Sequence, residues 1–134
     1  MKKKDVFQFL EQFFSNYILH DRFLSELVSL IAGSGYENSF RKILLKQLYI
    51  LSVLGIQVTD TKEFELIGDG IFSMHLTGHG FNIRALFFFL PNSQPAFLVS
   101  FEERAGKKKT DYSGYLSLAQ DRKKEMEEGF NNDR

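Results

Sequence analysis

The chain has 134 residues, which fits one domain, and its 17 basic and 17 acidic side chains give a formal net charge of zero. Phosphate binding usually leaves a basic footprint, so this balance counts against a nucleic-acid function; any RNA site must be a local patch, or the RNA must be positioned largely by something else. There is no cysteine, which excludes disulfides and every cysteine-ligated metal site.

The N-terminal residues 1–5 are charged like the start of a signal peptide. The residues that follow do not continue this pattern, because Gln8, Glu11 and Gln12 interrupt the apolar positions and no small-residue cleavage site appears. The longest apolar runs are also too short to cross a membrane. We therefore expect no signal peptide, no transmembrane segment and a cytoplasmic location.

Apolar residues recur at spacings of three and four through residues 5–30, which is typical of amphipathic helices. A second stripe covers residues 21–31, where Asp21 is a plausible helix cap. We expect residues 1–36 to form a helical N-terminal extension with no clear first strand.

The next segment, residues 40–54, predicts a helix with a wide apolar face. Asn38 or Ser39 can cap its start, and Gly55 stands just past its end, where glycine is common. Because so much of this helix is apolar, we expect it to be covered on most sides.

Three short segments after residue 64 have the composition of strands: residues 71–76, residues 81–90 and residues 96–101. Residues 81–90 are almost wholly apolar, so we expect the central strand there, buried on both faces. The chain's 15 Phe and 5 Tyr give its core large rings to bury. The turn signals between these segments are Gly68-Asp69-Gly70, Thr77-Gly78-His79-Gly80 and Pro91-Asn92-Ser93-Gln94-Pro95.

A final helix is predicted from Tyr112 or Ser113 to Glu128, followed by a tail, residues 129–134, that we expect to fray. The predicted fold class is therefore α+β. N-terminal helices pack on a small curved antiparallel sheet, a C-terminal helix follows, and residues 1–134 form a single domain.

The segment from residue 67 to about residue 126 resembles the phage-derived HigB branch of the RelE-like toxins. The shared features are a glycine turn, a hairpin, a strand with Arg entering an aromatic run, a strand ending in Phe, a lysine-rich loop with Thr, and a helix dense in Lys and Glu. In this chain they read Gly68-Asp69-Gly70-Ile71-Phe72, Gly78-His79-Gly80-Phe81-Asn82-Ile83-Arg84-Ala85-Leu86-Phe87-Phe88, Phe97-Leu98-Val99-Ser100-Phe101, Lys107-Lys108-Lys109-Thr110 and Ala119-Gln120-Asp121-Arg122-Lys123-Lys124-Glu125-Met126.

The resemblance implies the toxin of a type II toxin–antitoxin system, a ribosome-dependent endoribonuclease that cuts mRNA and so inhibits translation. It implies attack of a ribose 2′-OH on the next phosphate, with no metal and no small-molecule cofactor. The implied partners are mRNA on the ribosome and a cognate antitoxin, expected to be a helix-turn-helix DNA-binding protein. No membrane partner is expected.

Four residues are candidates for the catalytic groups: Arg84, His75, Lys109 and Tyr112. A guanidinium can clamp a phosphate, an imidazole can transfer a proton, and a phenol can stack on a base or donate a proton. The structural alternatives are that Arg84 pairs with a carboxylate such as Glu65, that His75 is an ordinary strand residue, and that Tyr112 anchors its helix.

Four further residues are candidates for RNA binding: Lys107, Lys108, Arg104 and His79. The lysines follow a strand and precede a helix, so we expect a loop at the rim of a cleft. Solvated loop positions are the alternative for the lysine run and for His79. The nuclease hypothesis requires Arg84, His75 and the lysine loop to converge on one hollow.

A second hypothesis is a RelE-fold protein that has lost cleavage and acts as an interaction or regulatory module of a mobile element. His75 stands where the family usually has Arg, and Glu102 and Glu103 stand where basic residues are usual. A small-molecule binder that uses the aromatic core is a weaker third alternative, because no polar groups converge in the sequence to support it.

Overall fold

The fold of the computed structural model, which describes residues 1–132 and the side chains of residues 1–129, is α+β and confirms the predicted class. Four α-helices and five strands are present in this part of the chain. In chain order they are α1 (Lys3–Phe13), β1 (Ile18–Leu19), α2 (Phe23–Ile31), α3 (Glu37–Leu54) with a 3-10 turn (Gly55–Asp60), β2 (Phe64–Gly68), β3 (Ile71–Gly78), β4 (Phe81–Phe89), β5 (Pro95–Glu102) and α4 (Lys108–Asn132).

The five strands form one sheet in the order β1-β5-β4-β3-β2. Every neighbouring pair is antiparallel except β1 and β5, which are parallel. β4 lies at the centre with every residue buried or half-buried, as its apolar sequence predicts. The predicted turn between β2 and β3 is also confirmed, since Asp69 and Gly70 have φ of 52° and 74°, the positive values that a tight hairpin turn requires.

The two faces of the sheet carry two apolar cores. Side chains alternate between the faces along a strand, so neighbouring residues of β4 serve different cores. Ile83, Ala85 and Phe87 pack with α1, α2 and α3, whereas Leu86 and Phe88 pack on the side of α4. The C-terminal helix therefore covers the sheet face opposite to the N-terminal helices.

The N-terminal region is not wholly helical, which corrects the sequence prediction. Ile18 and Leu19 form β1 and pair with Ala96 and Phe97 of β5. Apolar residues before and after β1 have helical spacing, so the pattern predicted helix throughout. A strand of two residues is too short to show the alternation that identifies a strand. Residues 1–36 are also part of the main core rather than an appendage, because α1 and α2 both bury residues in it.

The predicted helix caps are wrong, although Gly55 ends α3 as expected, with φ of 55°. Arg22 rather than Asp21 stands at the N-cap of α2, and α3 starts at Glu37, before Asn38 and Ser39. Neither helix has a side-chain cap. Instead, the buried Glu37 carboxylate accepts hydrogen bonds from the Gly33 N–H at 3.0 Å and from the amino group of Met1 at 2.9 Å.

α4 begins at Lys108, four residues before the predicted Tyr112, because Asp111 organises its first turn. The Asp111 carboxylate accepts hydrogen bonds from the backbone N–H of Arg104 at 2.9 Å and from its guanidinium at 2.5 Å. Lys108 and Lys109 therefore lie on a helix rather than in a loop. Residues 129–132 are helical rather than frayed, and residues 133–134 lie outside the described residues.

α3 with its 3-10 turn, Glu37–Asp60, is long and apolar enough to cross a membrane by length and composition. The same properties occur in core helices of packed domains. One side of α3 fits that description, because Phe40, Leu44, Leu48 and Leu51 are 5% exposed or less and pack on the sheet. The expectation that α3 is covered on most sides is wrong, since its outer side is open.

Candidate functional site

A polar cluster lies on the α4 side of the sheet, where β3 and β4 run beside the start of α4. Ser73, His75 and Thr77 of β3 share this face because side chains alternate along a strand. Arg84 of β4 is the direct cross-strand partner of His75. The sheet register therefore brings together the imidazole and the guanidinium that the sequence singled out.

Tyr112 enters the cluster from the first turns of α4. Its hydroxyl lies 2.9 Å from the Ser73 Oγ and 3.5 Å from the His75 Nε2. The Phe101 ring packs edge-on against the Tyr112 ring, with 5.3 Å between the centroids, and fixes its direction. Tyr112 thus anchors α4, as the structural alternative predicted, and also contacts the candidate imidazole.

The surroundings of the His75 imidazole and the Tyr112 phenol favour the uncharged form of each near neutral pH. Burial lowers the pKa of His75 below its usual 6.5, and the positive charges of Arg84 and Lys108 lower it further against the opposing effect of Glu65 and Glu103. Burial also raises the pKa of Tyr112 above 10.0. A neutral imidazole can accept a proton, and a protonated phenol can donate one.

Arg84 is 8% exposed and its guanidinium is held on several sides. Its Nε donates to Glu103 at 3.2 Å, and one terminal nitrogen donates to the Thr77 Oγ1 at 3.0 Å and to the Ile83 carbonyl at 3.3 Å. Within the described residues the other terminal nitrogen has no hydrogen-bond partner, so its two N–H groups are available to an anion. The carboxylate partner is Glu103, not Glu65.

The lysine run is divided by the start of α4. The Lys108 ammonium lies 3.8 Å from the Glu65 carboxylate and 5.8 Å from the centre of the Tyr112 ring. Lys109 joins Lys108 and Tyr112 in lining an open hollow of about 680 Å³. Lys107 precedes the helix and is exposed. Lys108 and Lys109 therefore lie beside the cluster, whereas Lys107 lines neither of the two hollows next to it.

Two of the predicted RNA-binding residues have other surroundings. Arg104 is engaged by Asp111, whose hydrogen bond is the main cause of a raised pKa of Arg104. His79 is exposed in the turn between β3 and β4, and among the described residues it makes no hydrogen bond to the cluster. Arg104 is thus held by Asp111 at the start of α4, while its side chain stays 64% exposed.

The cluster opens into two hollows rather than the single one that was expected. One is the hollow beside Tyr112, Lys108 and Lys109, and the other, of about 420 Å³, lies beside His75 and Thr77. Lys46 and Lys62 line the second hollow. His75 lines the second hollow, Tyr112 and the two α4 lysines line the first, and Arg84 lines neither of them. The contact between Tyr112 and His75 joins the two hollows.

Sequence reasoning missed three members of the cluster: Ser73, Thr77 and Glu103. One signal could have found two of them. Ser73 and Thr77 flank His75 at spacings of two, which places all three on one strand face. Glu103 follows β5 directly, but only the register of β4 and β5 shows that its carboxylate reaches Arg84.

No protein-family model, curated protein or solved structure matches the chain. Function is therefore inferred from the chemistry of the cluster and from the resemblance in residues 67–126.

Proposed function

We propose that the chain is a toxin of the RelE/HigB kind, a metal-independent endoribonuclease that cuts mRNA on the ribosome. The observation that carries the proposal is the contact between a neutral His75 imidazole and a protonated Tyr112 hydroxyl, 3.5 Å apart, beside the Arg84 guanidinium. Cleavage of RNA without a metal needs a proton acceptor, a proton donor and a cation, and these three side chains supply them.

In the proposed reaction His75 removes the proton of a ribose 2′-OH, and the 2′-oxygen attacks the adjacent phosphorus. The bond to the 5′-oxygen breaks, leaving a 2′,3′-cyclic phosphate on one fragment and a 5′-OH on the other. Tyr112 donates its proton to the departing oxygen, and the His75 imidazolium returns a proton to Tyr112 across the 3.5 Å contact. Atoms and charges balance, and both side chains return to their starting states.

The cationic groups have the role of holding the phosphate and its increased charge in the transition state. Arg84 offers two N–H groups, and Lys108 and Lys109 line the neighbouring hollow. Glu103 reduces the net charge at Arg84, which weakens attraction for free RNA. Placement of mRNA by the ribosome compensates for this weak attraction and agrees with a net charge of zero.

The proposed partner is an antitoxin, a helix-turn-helix DNA-binding protein, that covers or distorts the cluster, and the proposed location is the cytoplasm. The supporting observation is that the cluster lies open to two hollows, so the chain needs an external means of inhibition. Uninhibited activity of this kind stops growth.

Induced expression of the chain without a partner tests the proposal. Growth and translation should stop, and primer extension on cellular transcripts should show new ends inside coding regions. Arg84→Ala should relieve the arrest, whereas the exposed Lys124→Ala on α4 should not. If Arg84→Ala arrests growth as strongly as the wild-type chain, Arg84 has no part in the mechanism. If cellular transcripts stay intact after induction, the chain is not an mRNA endoribonuclease.

The second candidate, an inactive module that binds a partner through the same fold, is favoured by the pairing of Arg84 with Glu103. Both side chains are largely buried, at 10% and 14% exposed, so the pair is partly shielded from water and from RNA. Expression without growth arrest, with intact transcripts and a neighbouring helix-turn-helix reading frame, is the expected result for this alternative.

A further inference from the structure

The outer side of α3 and its 3-10 turn carries a row of exposed apolar residues, here called the α3 stripe: Leu45, Tyr49, Val53 and Ile56. Each is between 55% and 65% exposed. Leu45, Tyr49 and Val53 are four residues apart, so they lie on one face of the helix, and Ile56 follows them just after Gly55 ends α3. Contiguous apolar surface of this size marks an interaction site.

The α3 stripe is symmetric about Tyr49, because Leu45 lies four residues before it and Val53 four residues after it. In an isologous dimer the same patch must complement itself about a two-fold axis. Two antiparallel α3 helices that cross at Tyr49 would place Leu45 of each copy against Val53 of the other. We propose that the α3 stripe is the interface of a symmetric dimer of this chain.

The area of the stripe is sufficient for a weak, specific dimer. Taking about 200 Å² for a fully exposed large side chain, the stripe offers roughly 500 Å² per copy, and two copies would bury roughly 1,000 Å², the lower limit for a specific interface. A dimer of this size dissociates on dilution.

The charges at the two ends of the stripe favour the antiparallel arrangement. Lys42 and Lys46 are exposed on the N-terminal half of α3, and Asp60 is exposed at the end of the 3-10 turn. An antiparallel crossing at Tyr49 brings Lys42 of one copy within about one helical turn of Asp60 of the other. A parallel crossing would instead place the lysines of both copies side by side, where they repel.

The proposed dimer is independent of the proposed nuclease. None of the four residues of the α3 stripe lines either hollow beside the polar cluster, although Lys46 of α3 lines the one beside His75. Loss of the dimer and loss of RNA cleavage can therefore be measured separately.

Light scattering and sedimentation of the purified chain test the dimer. The mass should approach twice 15.6 kDa at about 100 µM and return to the monomer value on dilution. Tyr49→Arg should give a monomer, because two cations would meet at the axis. Leu66→Arg, at an equally exposed apolar residue of β2, should leave the dimer unchanged. A wild-type chain that is monomeric at every concentration overturns the proposal, even if it binds vesicles or another protein through the stripe.

Cross-linking tests the register, since the chain has no cysteine of its own. A mixture of Leu45→Cys and Val53→Cys chains should form the mixed disulfide at least about tenfold faster than either variant forms its own, because only the mixed pair is adjacent across the axis. Tyr49→Cys should cross-link with itself, and Leu66→Cys should not. Equal rates for all combinations would overturn the antiparallel crossing at Tyr49.

Discussion

His75 of β3 and Arg84 of β4 lie directly opposite each other in the antiparallel ladder. The backbone N–H of His75 donates to Glu63 on the other side of β3, so the His75–Arg84 pair is a non-hydrogen-bonded one, in which side chains approach most closely. The guanidinium charge therefore acts on the imidazole at short range. Burial, and after it the charge of Arg84, lowers the pKa of His75 below its usual value of 6.5.

Replacing His75 with Gln should abolish the proton acceptor while keeping a polar side chain of similar size. We expect RNA cleavage on ribosomes to fall by about 100-fold or more, the usual contribution of a general base. The measurement is the rate of transcript cleavage in a reconstituted translation reaction. His20→Gln, at a histidine outside the cluster whose ring is hydrogen-bonded to Glu125 of α4, is the matched control and should cleave at the wild-type rate.

The pH dependence of cleavage should report the lowered pKa of His75. Cleavage should be constant around neutral pH and should fall only as the pH drops through the folded-state pKa, which lies below 6.5. An NMR titration of the His75 ring gives that pKa independently. If the cleavage rate instead falls with a midpoint at or above pH 6.5, His75 is not the base.

The same shift links stability to pH. Because the His75 pKa is below 6.5 in the folded protein and close to 6.5 in the unfolded chain, the unfolded chain binds more protons between these values. The free energy of unfolding should therefore decrease as the pH falls from 6.5 to the folded-state pKa. His75→Gln should lack this part of the pH dependence in urea denaturation.

Glu103→Gln should release Arg84 from its counter-charge while keeping an oxygen that can accept the hydrogen bond. The negative charge of Glu103 raises the pKa of His75, so its removal should lower that pKa further. Binding of short RNA should tighten by about two- to fivefold, with a steeper salt dependence. Glu102→Gln, at the neighbouring exposed residue, is the control. Unchanged RNA affinity in Glu103→Gln would indicate that Arg84 does not meet the phosphate.

Tyr112→Phe separates the structural role of the hydroxyl from its chemical role. It leaves the fully buried Ser73 Oγ without its 2.9 Å partner, which should lower the free energy of unfolding by about 1–2 kcal/mol. The double variant Ser73→Ala/Tyr112→Phe removes both polar groups and should recover much of this stability. If Tyr112 is the proton donor, cleavage should remain low in the double variant, and a full recovery of cleavage would limit Tyr112 to packing.

Arg122 of α4 should be the most important ion-pairing residue for stability. It is 4% exposed, and its guanidinium donates to both carboxylate oxygens of Glu26 at 2.6 Å and to the Leu98 carbonyl at 2.9 Å. Arg122→Ala should lower the free energy of unfolding by about 3 kcal/mol, because it leaves the Leu98 carbonyl and the Glu26 carboxylate without a donor. In chemical denaturation the exposed Lys124→Ala should change stability by less than about 0.5 kcal/mol.

Local sequence patterns predicted the elements whose signals repeat over several residues. Residues 40–54 lie within α3, and residues 81–90 contain the central strand β4. The prediction failed where a long-range contact decides the structure. β1 forms because its backbone pairs with β5 at the edge of the sheet. α4 begins at Lys108 because the Asp111 carboxylate binds Arg104.

The sequence by itself determined the α+β class, the buried central strand and the residue types available for chemistry, since these follow from periodicity and composition within each segment. Only the tertiary structure decided which of those residues meet. The strand register placed Arg84 opposite His75 and within reach of the Glu103 carboxylate. The docking of α4 brought the Tyr112 hydroxyl to the Ser73 Oγ. The physical reason is that register and helix docking minimise the free energy of the whole core, to which residues far apart in the chain contribute together.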